Sequence, residues 1–505
     1  MKLGAILSGV EWSSDHQAPA SPFVDPNTEI TGLAYDSRQV LPGNLFWAFP
    51  GAKVDGRAFA KQAVEKGALA IISESPAPAG FPAPWLQVPH GRKSLALAAR
   101  NFYDHLDEKL RLTGITGTNG KTTTSYLIDS ILRVAGYTTG VFGTIGYSLG
   151  NKALPAINTT PESLDLHRMF AELDEMGGTH ATLEVSSHAL DLGRVYGLHF
   201  HTAVFSNLTR DHLDYHQTME AYFAAKQLLF TGAGAPAPAV AVVNRDDDWA
   251  RKLAIPRSSQ AIWYGLTADA MLRARQIQTG LDGLRFEITF DRHRLDIRSK
   301  LIGKINVYNI LAAVGAGLSY QLPLDMIAEG IAACEGVPGR FQRVDEGQPF
   351  AVVVDYSHTD DALRNAIVAA RSLNPRRVIT VFGCGGDRDR TKRPIMGQVA
   401  GEGSDLVIVT SDNPRSEDPL QIINDIMVGA RRTDTRTIVE PDRAAAIRKA
   451  ISEAGAGDFV LLAGKGHETY QIFRDRTIHL DDRESASEAL RSFGFRRKEQ
   501  VRAAS

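Results

Sequence analysis

The stretch GITGTNGKTTT, Gly114 to Thr124, constrains this chain more than any other. It follows an apolar run, Leu112 to Ile115, that reads as a buried strand. It precedes SYLIDSILRVAG, where Tyr126, Ile128, Ile131, Leu132 and Ala135 recur at helical spacing. A strand, a Gly-rich loop and Gly-Lys-Thr at a helix start make a phosphate-binding loop. Gly117 and Gly120 let the backbone approach an anion, while backbone N–H groups and the helix dipole supply positive potential. Gly117, Thr118, Asn119, Gly120, Lys121, Thr122 and Thr123 are therefore the candidate phosphate-binding set. Lys121 reaches the outer phosphates, and the Thr122 hydroxyl suits Mg²⁺. The spacing departs from the strict motif, because Ile115 stands six residues before Lys121 and Gly114 lies one further back.

Length and charge set the remaining bounds. A chain of 505 residues accommodates about three domains. The net charge of −2 gives no electrostatic case for nucleic acid. Two cysteines, Cys334 and Cys384, argue for a reducing cytosol without disulfides. No apolar run approaches the ~18 residues needed to span a membrane. Met1-Lys2, LGAILSGV and Ala18-Pro19-Ala20 faintly resemble a signal peptide. The apolar stretch is broken by Gly4 and Ser8, and Glu11 and Asp15 precede the cleavage-like site, so a first helix of a cytoplasmic protein is expected.

The expected fold class is α/β in three domains. Residues 1–105 read as a small N-terminal α/β domain, 106–336 as a central phosphate-loop domain with a doubly wound, mainly parallel sheet, and 337–505 as a C-terminal Rossmann-like α/β domain. In the first, Asp36-Ser37-Arg38 is a polar loop, either a plain Asx turn or an anion contact. In the second, Gly140 to Tyr147, HATLEV, HTAVFSN and AVAVVN read as strands, and residues 261–302 as an antiparallel insertion. In the third, AVVVDYSHT, RRVITVFGCGGDRD, DLVIVTSDNPR and DFVLLAGKGHE are four apolar strands, each ending in a polar cluster. Ligands of open α/β sheets bind beyond the carboxyl ends of the strands, so four such ends point to one site.

Mg²⁺ prefers oxygen ligands. Glu184, ending HATLEV, is the obvious carboxylate, and His212 in NLTRDHLDYH reads as ending another parallel strand at the same edge. Lys226 follows Tyr222 by four residues in MEAYFAAKQLLF. On the residues alone, a lysine there extends its ammonium to solvent.

The stretches ITGTNGKTT, NTTPES, EVSSHAL, NLTRDHLDYH, YFAAK, NVYNILAA, VPGRF, DYSHT, GCGGDRD, DNPR and GKGHE, in this order over essentially the whole chain, resemble the Mur ligases. These are ATP-dependent enzymes that add amino acids to the peptidoglycan precursor. The DNPR form resembles members that add meso-2,6-diaminopimelate rather than L-lysine. The resemblance implies the substrates UDP-N-acetylmuramoyl-L-alanyl-D-glutamate, meso-diaminopimelate and ATP, with Mg²⁺, in a monomeric enzyme without nucleic-acid or membrane partners. It implies that Thr122, Glu184 and His212 hold Mg²⁺ and that Lys226 is carbamylated and helps place a metal. Lys121, Lys226, Glu184 and His212 are then the catalytic set. Asn306, Asn309, Arg340, Asp355 and His358 would join the loop around the nucleotide. Ser37, Asn158, Thr159, Thr160, Ser186 and Arg194 would take the UDP-sugar peptide. Arg388, Asp412, Asn413, Pro414, Arg415, Gly464 and Glu468 would take diaminopimelate. Leu192 stands where some relatives have Gln, Ser357 where Ala is frequent and Asp360 where Pro is frequent. Leu192 puts one sugar-side contact in doubt, while Ser357 and Asp360 are expected to leave the chemistry untouched.

The implied mechanism makes an acyl phosphate on the D-glutamyl γ-carboxylate, which the amine then attacks. Domain closure is needed, with Gly336 to Gly339 as the natural hinge. Neither cysteine is needed as a nucleophile. Folylpolyglutamate synthase shares the loop and domain order, but DNPR and GKGHE argue against it. A nucleotide-switch protein is the rival of another class, and no Asn-Lys-x-Asp guanine-reading motif follows a strand. A dinucleotide reading of Phe382 to Gly386 lacks a clear helix start and a ribose-binding acid.

Overall fold

The computed structural model describes residues 1–14, 25–51 and 54–496. Asp15 and Ala18-Pro19-Ala20 lie outside the described residues. A short first helix, Leu3–Ile6, buries Leu3 and Ile6. Among the described residues, no helix is long and apolar enough to cross a membrane.

Three large sheets follow one another along the chain. The first has five strands, in the order 13–14, 85–87, 70–73, 44–47, 32–34, parallel except for the first pair. Strands 44–47 and 70–73 are buried because helices cover both faces. One helix, Gly91–Phe102, brings its buried Leu95, Ala98 and Ala99 onto Leu45, Trp47 and Ile72.

The second sheet has eleven strands. Its parallel centre runs 260–265, 240–244, 200–205, 111–116, 180–184, 139–142. These strands read as continuous apolar runs because both faces are covered, as parallel sheets require. Register aligns their carboxyl ends: Glu184 pairs with Ile115, and Phe205 with Thr116. The loops that leave at 117, 185 and 206 therefore start side by side. Helix Lys121–Val134 buries Leu127, Ile128, Ile131 and Leu132 against helices Ile305–Ser319 and Leu324–Ala333, which fixes the phosphate loop to the sheet.

Two readings of this region are corrected. Gly140 to Tyr147 is not one strand. Strand Thr139–Phe142 ends at a turn, and Tyr147–Leu149 returns antiparallel to it. The segment 261–302 is antiparallel only in its outer part. Gln260–Gly265 continues the parallel sheet, strand 272–280 pairs parallel with it, and 283–290 and 293–299 follow antiparallel in the same sheet.

The third sheet runs 342–344, 351–355, 459–463, 378–382, 406–409, 436–439, parallel except for its first pair. The four strands expected from sequence are the four central neighbours. Asp355 pairs with Ala463, and Phe382 with Val409, so their polar ends share one edge. The two flanking strands are short or half-exposed, and carry no apolar run to announce them. Arg443 and Asp482, both wholly buried, form an ion pair that ties helix Arg443–Glu453 to helix Asp482–Ser492.

Candidate active site

The phosphate loop is held from three sides. Gly117 has φ +139, and a Cβ there would lie 1.9 Å from Ser206 Oγ. Gly120 has φ +90, and its Cβ would lie 2.4 Å from Asn309 Oδ1. Only glycine allows both the conformation and the approach. Thr118 N donates to Asn207 O, and Asn119 N to Asn207 Oδ1, both at 2.9 Å. Lys121 Nζ folds onto the loop, donating to Gly117 O and Thr118 O at 2.9 Å. Desolvation holds this amine below the usual lysine range, an effect that Glu184 and Asp211 oppose.

Lys226 does not reach solvent. It is wholly buried, its Nζ donates to Gly117 O at 3.0 Å, and it lies 4.6 Å from the Tyr222 ring centroid. Desolvation, with the charge of Lys121 adding, pushes its amine well below the ordinary range. Two lysines thus converge on one carbonyl.

A cleft of about 1310 Å³ opens above the loop. Residues 118–123 line it, with Glu184 and His212. Glu184 Oε1 accepts from Thr144 N at 3.0 Å, and its Oε2 from Thr144 Oγ1 at 2.9 Å. His212 does not end a strand. It has φ +54 at the start of the short helix Leu213–His216, seven residues past Phe205. Burial pushes its imidazole down to about 4, with the adjacent Asp211 carboxylate opposing. Asn306 and Asn309 also line the cleft, Asn309 Nδ2 donating to Asn306 Oδ1 at 2.8 Å.

The third unit closes the cleft. Arg340, stacked 4.4 Å over Tyr356, donates to Thr122 Oγ1 at 3.2 Å. Asp355 and His358 line the same wall. Asp355 is pushed up by burial, while the Ser357 hydroxyl, which donates to it, opposes the shift. Ser357 is therefore a correction: it touches the site rather than standing apart from it. Asp361 Oδ2 accepts from Thr209 Oγ1 at 2.9 Å and from Asn119 Nδ2 at 3.4 Å, so it also joins the units.

On the sugar side, Asn158, Thr159, Ser186 and Arg194 line the cleft. Thr160 is buried behind them. Its hydroxyl donates to Glu184 O at 2.8 Å and accepts from Ser186 N, while its carbonyl accepts from Arg194 Nη1. Ser37 is outside the cleft lining, with its hydroxyl donating to Gln62 Oε1 at 2.9 Å. Arg38 is exposed and folds back on Asp36, the geometry of an Asx turn.

A second cluster sits at the strand ends of the third unit, outside the cleft lining. Asn413 Nδ2 donates to Glu468 Oε2 at 2.8 Å, and Arg415 Nη1 to Gly386 O at 2.9 Å. A Cβ on Gly464 would lie 3.0 Å from Asp412 Oδ2, and one on Gly385 would lie 2.9 Å from Arg415 Nη1 and 3.8 Å from Arg388 Cγ. The three chain segments carrying DRD, DNPR and GKGHE thus form one group. Pro414 lies within it, its carbonyl 1.9 Å from where a Gly386 Cβ would stand.

Family models match three consecutive parts of the chain: the Mur ligase family catalytic domain over residues 29–103, the Mur ligase middle domain over 115–317, and the Mur ligase glutamate ligase domain over 339–466. A relative from Solibacter usitatus (strain Ellin6076), named UDP-N-acetylmuramoyl-L-alanyl-D-glutamate--2,6-diaminopimelate ligase, is 62% identical over 98% of this chain and 99% of its own. The chain belongs to the Mur ligase family. A relative of the same name from Geobacillus thermodenitrificans (strain NG80-2) is 47% identical over 97% of this chain and 99% of its own. A solved structure titled with that ligase name superposes at a TM-score of 0.68, with 34% identity, covering 96% of this chain and 100% of that one.

Several residues of this Mur ligase site escaped the sequence reading. Thr144 holds Glu184 from within a turn read as strand. Lys465, wholly buried, donates to Glu468 Oε2 at 3.1 Å and to Asn413 Oδ1 at 3.3 Å. Its place inside GKGHE was the signal available. Arg92 lines the cleft from the first unit, and nothing local marks it.

Proposed function

We propose that the chain is an ATP-dependent ligase that joins meso-2,6-diaminopimelate to UDP-N-acetylmuramoyl-L-alanyl-D-glutamate in peptidoglycan synthesis, releasing ADP and phosphate. The observation that carries the reading is the cleft itself. A phosphate loop with a folded-back lysine forms its floor, and all three units supply walls. The names of relatives at 62% and 47% identity support the choice of substrates.

A carboxylate does not react with an amine at neutral pH, so the γ-carboxylate must first be activated. Its oxygen attacks the γ-phosphorus of ATP, and ADP leaves. Lys121, in a low-dielectric setting, offsets the charge on the transferring phosphoryl group. The amine of diaminopimelate then attacks the acyl carbon, loses a proton, and phosphate departs. Asn306, Asn309, Arg340, Asp355 and His358 hold the nucleotide. Asn158, Thr159, Ser186 and Arg194 hold the sugar peptide, with Thr160 behind them. Ser37 takes the uridine side. Arg388, Asp412, Asn413, Pro414, Arg415, Gly464 and Glu468 take diaminopimelate, and the hinge near Gly336 to Gly339 brings the amine to the acyl phosphate.

The donors at the cleft floor fit Mg²⁺. Glu184 is a carboxylate presented by Thr144, Thr122 offers a hydroxyl oxygen, and His212 keeps a neutral ring, the form that binds metals. Burial favours the neutral Lys226 amine, the form that takes up CO₂, and its carbamate would add an anionic oxygen donor. When bound, the ion would neutralise phosphate charge and polarise the phosphoryl oxygens.

The test is ADP release with the UDP-linked substrate and each amino acid in turn. Turnover with meso-diaminopimelate should exceed that with L-lysine by about 10⁴-fold in kcat/KM, because an arginine fork desolvated without its carboxylate rejects the shorter analogue. Comparable values for the two amino acids would overturn the choice of diaminopimelate. ADP release that ignores amino acids altogether would overturn the ligase in favour of a nucleotide switch.

A further inference from the structure

Arg388 and Arg415 stand on two loops of the third unit, 383–390 and 411–417, which no shared strand joins. Glu417, with a side chain only 9% exposed, is the centre of the link between them. Its Oε1 accepts from Arg393 Nη2 at 2.8 Å and from Asp387 N at 2.6 Å, and its Oε2 accepts from Arg393 Nη1 at 3.0 Å. Arg393 is wholly buried. Its Nη2 also reaches Gly385 O at 3.3 Å, and its Nη1 reaches the half-exposed Asp425 at 2.9 Å. One buried fork and one carboxylate thus grip both loops. Asp387 returns the bond, its Oδ2 accepting from Ser416 N at 3.2 Å.

The backbone of both loops needs such a grip. Asp387 has φ +54 and Arg415 has φ +53, in the left-handed region that residues other than glycine seldom adopt. Residues held there persist only where their surroundings fix them. Arg388 follows the first bent point and Arg415 is the second. Arg388 Nη1 donates to Asp387 O at 3.0 Å and Arg415 Nη1 to Gly386 O at 2.9 Å, so both forks rest on the loop that Glu417 holds. Recognition of a carboxylate by paired hydrogen bonds requires forks that stand in place before the ligand arrives. Resting on the function proposed above, we infer that Glu417, locked by Arg393, is a positioning residue that sets the placement of Arg388 against Arg415 and thereby the preference for diaminopimelate over L-lysine. It acts through the two arginines rather than on the ligand itself.

The experiment measures kcat and KM for meso-diaminopimelate, L-lysine and ATP in the unmodified enzyme, in Glu417→Gln and in Glu417→Asp. Glutamine keeps the shape but turns one acceptor into a donor, and leaves Arg393 with Asp425 as its one anion. KM for diaminopimelate should rise by about 10-fold or more, and the ratio of the kcat/KM values for the two amino acids should fall by as much, while KM for ATP stays within about twofold. A merely structural residue would lower the active fraction, which scales kcat for both amino acids alike and leaves the ratio and every KM in place. That result overturns the inference. Aspartate keeps the anion beside Arg393 but falls one methylene short of Asp387 N, and should lose about threefold in the same ratio. It decides the matter if Glu417→Gln does not fold, an unchanged ratio in Glu417→Asp overturning the inference. If the unmodified enzyme shows no preference for diaminopimelate, the substrate reading fails, and the role of Glu417 with it. If the preference is present and both variants keep it, that reading stands and the role of Glu417 alone is overturned.

Discussion

The central and third units both end parallel strands in polar clusters, yet they hold them differently. At the central edge, Lys121 is half-buried and Lys226 wholly buried, and both donate to the same carbonyl, that of Gly117. The loop around them is clamped by Asn207 and Asn309. At the third edge, Arg388 is exposed and donates to Asp387 O, and Arg415 rests on the Gly386 carbonyl. The first arrangement suits a group that every turnover shares, since a fixed, desolvated cation acts most strongly on a phosphoryl charge. The second suits discrimination, since a partly solvated fork loses its water only for a ligand that replaces it.

The comparison predicts unequal losses. Lys121→Ala should fold normally and lose about 10³-fold in ATP turnover, the scale of removing a pre-organised charge donor. Near-normal turnover in a folded variant would mean that the loop does not serve ATP. Lys226→Ala should lose about 10²-fold, and short-chain carboxylic acids should restore part of it by supplying the missing anionic oxygen. An intact mass without added CO₂, together with full activity of the Ala variant, would remove the carbamate from the account.

Arg415→Ala should act on one substrate alone. A charge-assisted hydrogen bond contributes about 1.5–3 kcal/mol, so kcat/KM for diaminopimelate should drop by roughly 10- to 100-fold. KM for ATP should stay put, because no residue of this cluster lines the nucleotide cleft. A parallel rise in both constants would show that the two edges are one site rather than two.

Much of this was legible in the sequence, for a physical reason. Strands buried on both faces are mainly apolar, so 240–244, 378–382 and 459–463 announce themselves. The phosphate loop is legible because its chemistry needs neighbours in sequence. What stayed hidden depends on distant partners. The turn after Phe142 is fixed by Glu184, forty residues on, which accepts from Thr144. The burial of Lys226 comes from packing beneath the loop, which no local pattern records. Arg92 gains meaning only when helix Gly91–Phe102 is set beside Glu162, at the start of helix Ser163–Glu175. The polar triplet Asp36-Ser37-Arg38 left a turn and an anion contact open from sequence, and the Asx turn made by Arg38 N on Asp36 depends on neighbours alone.

The smallest predicted effect concerns the link between the two edges. Asp361 stands in the first turn of helix Asp360–Arg371, where the helix dipole favours a carboxylate. Its Oδ2 accepts from Thr209 and Asn119 of the central unit and from Asn365 of its own helix. It thus ties the phosphate loop to the unit proposed to deliver the amine. Each such bond contributes about 1 kcal/mol net, and the contact is only partly buried, so Asp361→Ala should cost no more than about tenfold. The loss should fall on kcat, because it weakens the alignment of amine and acyl phosphate rather than the binding of either substrate. Asp361→Asn keeps an acceptor oxygen and should recover most of the rate. If the Ala variant instead raises KM for ATP and leaves kcat unchanged, Asp361 belongs to the phosphate loop alone, and the two edges work without this tie.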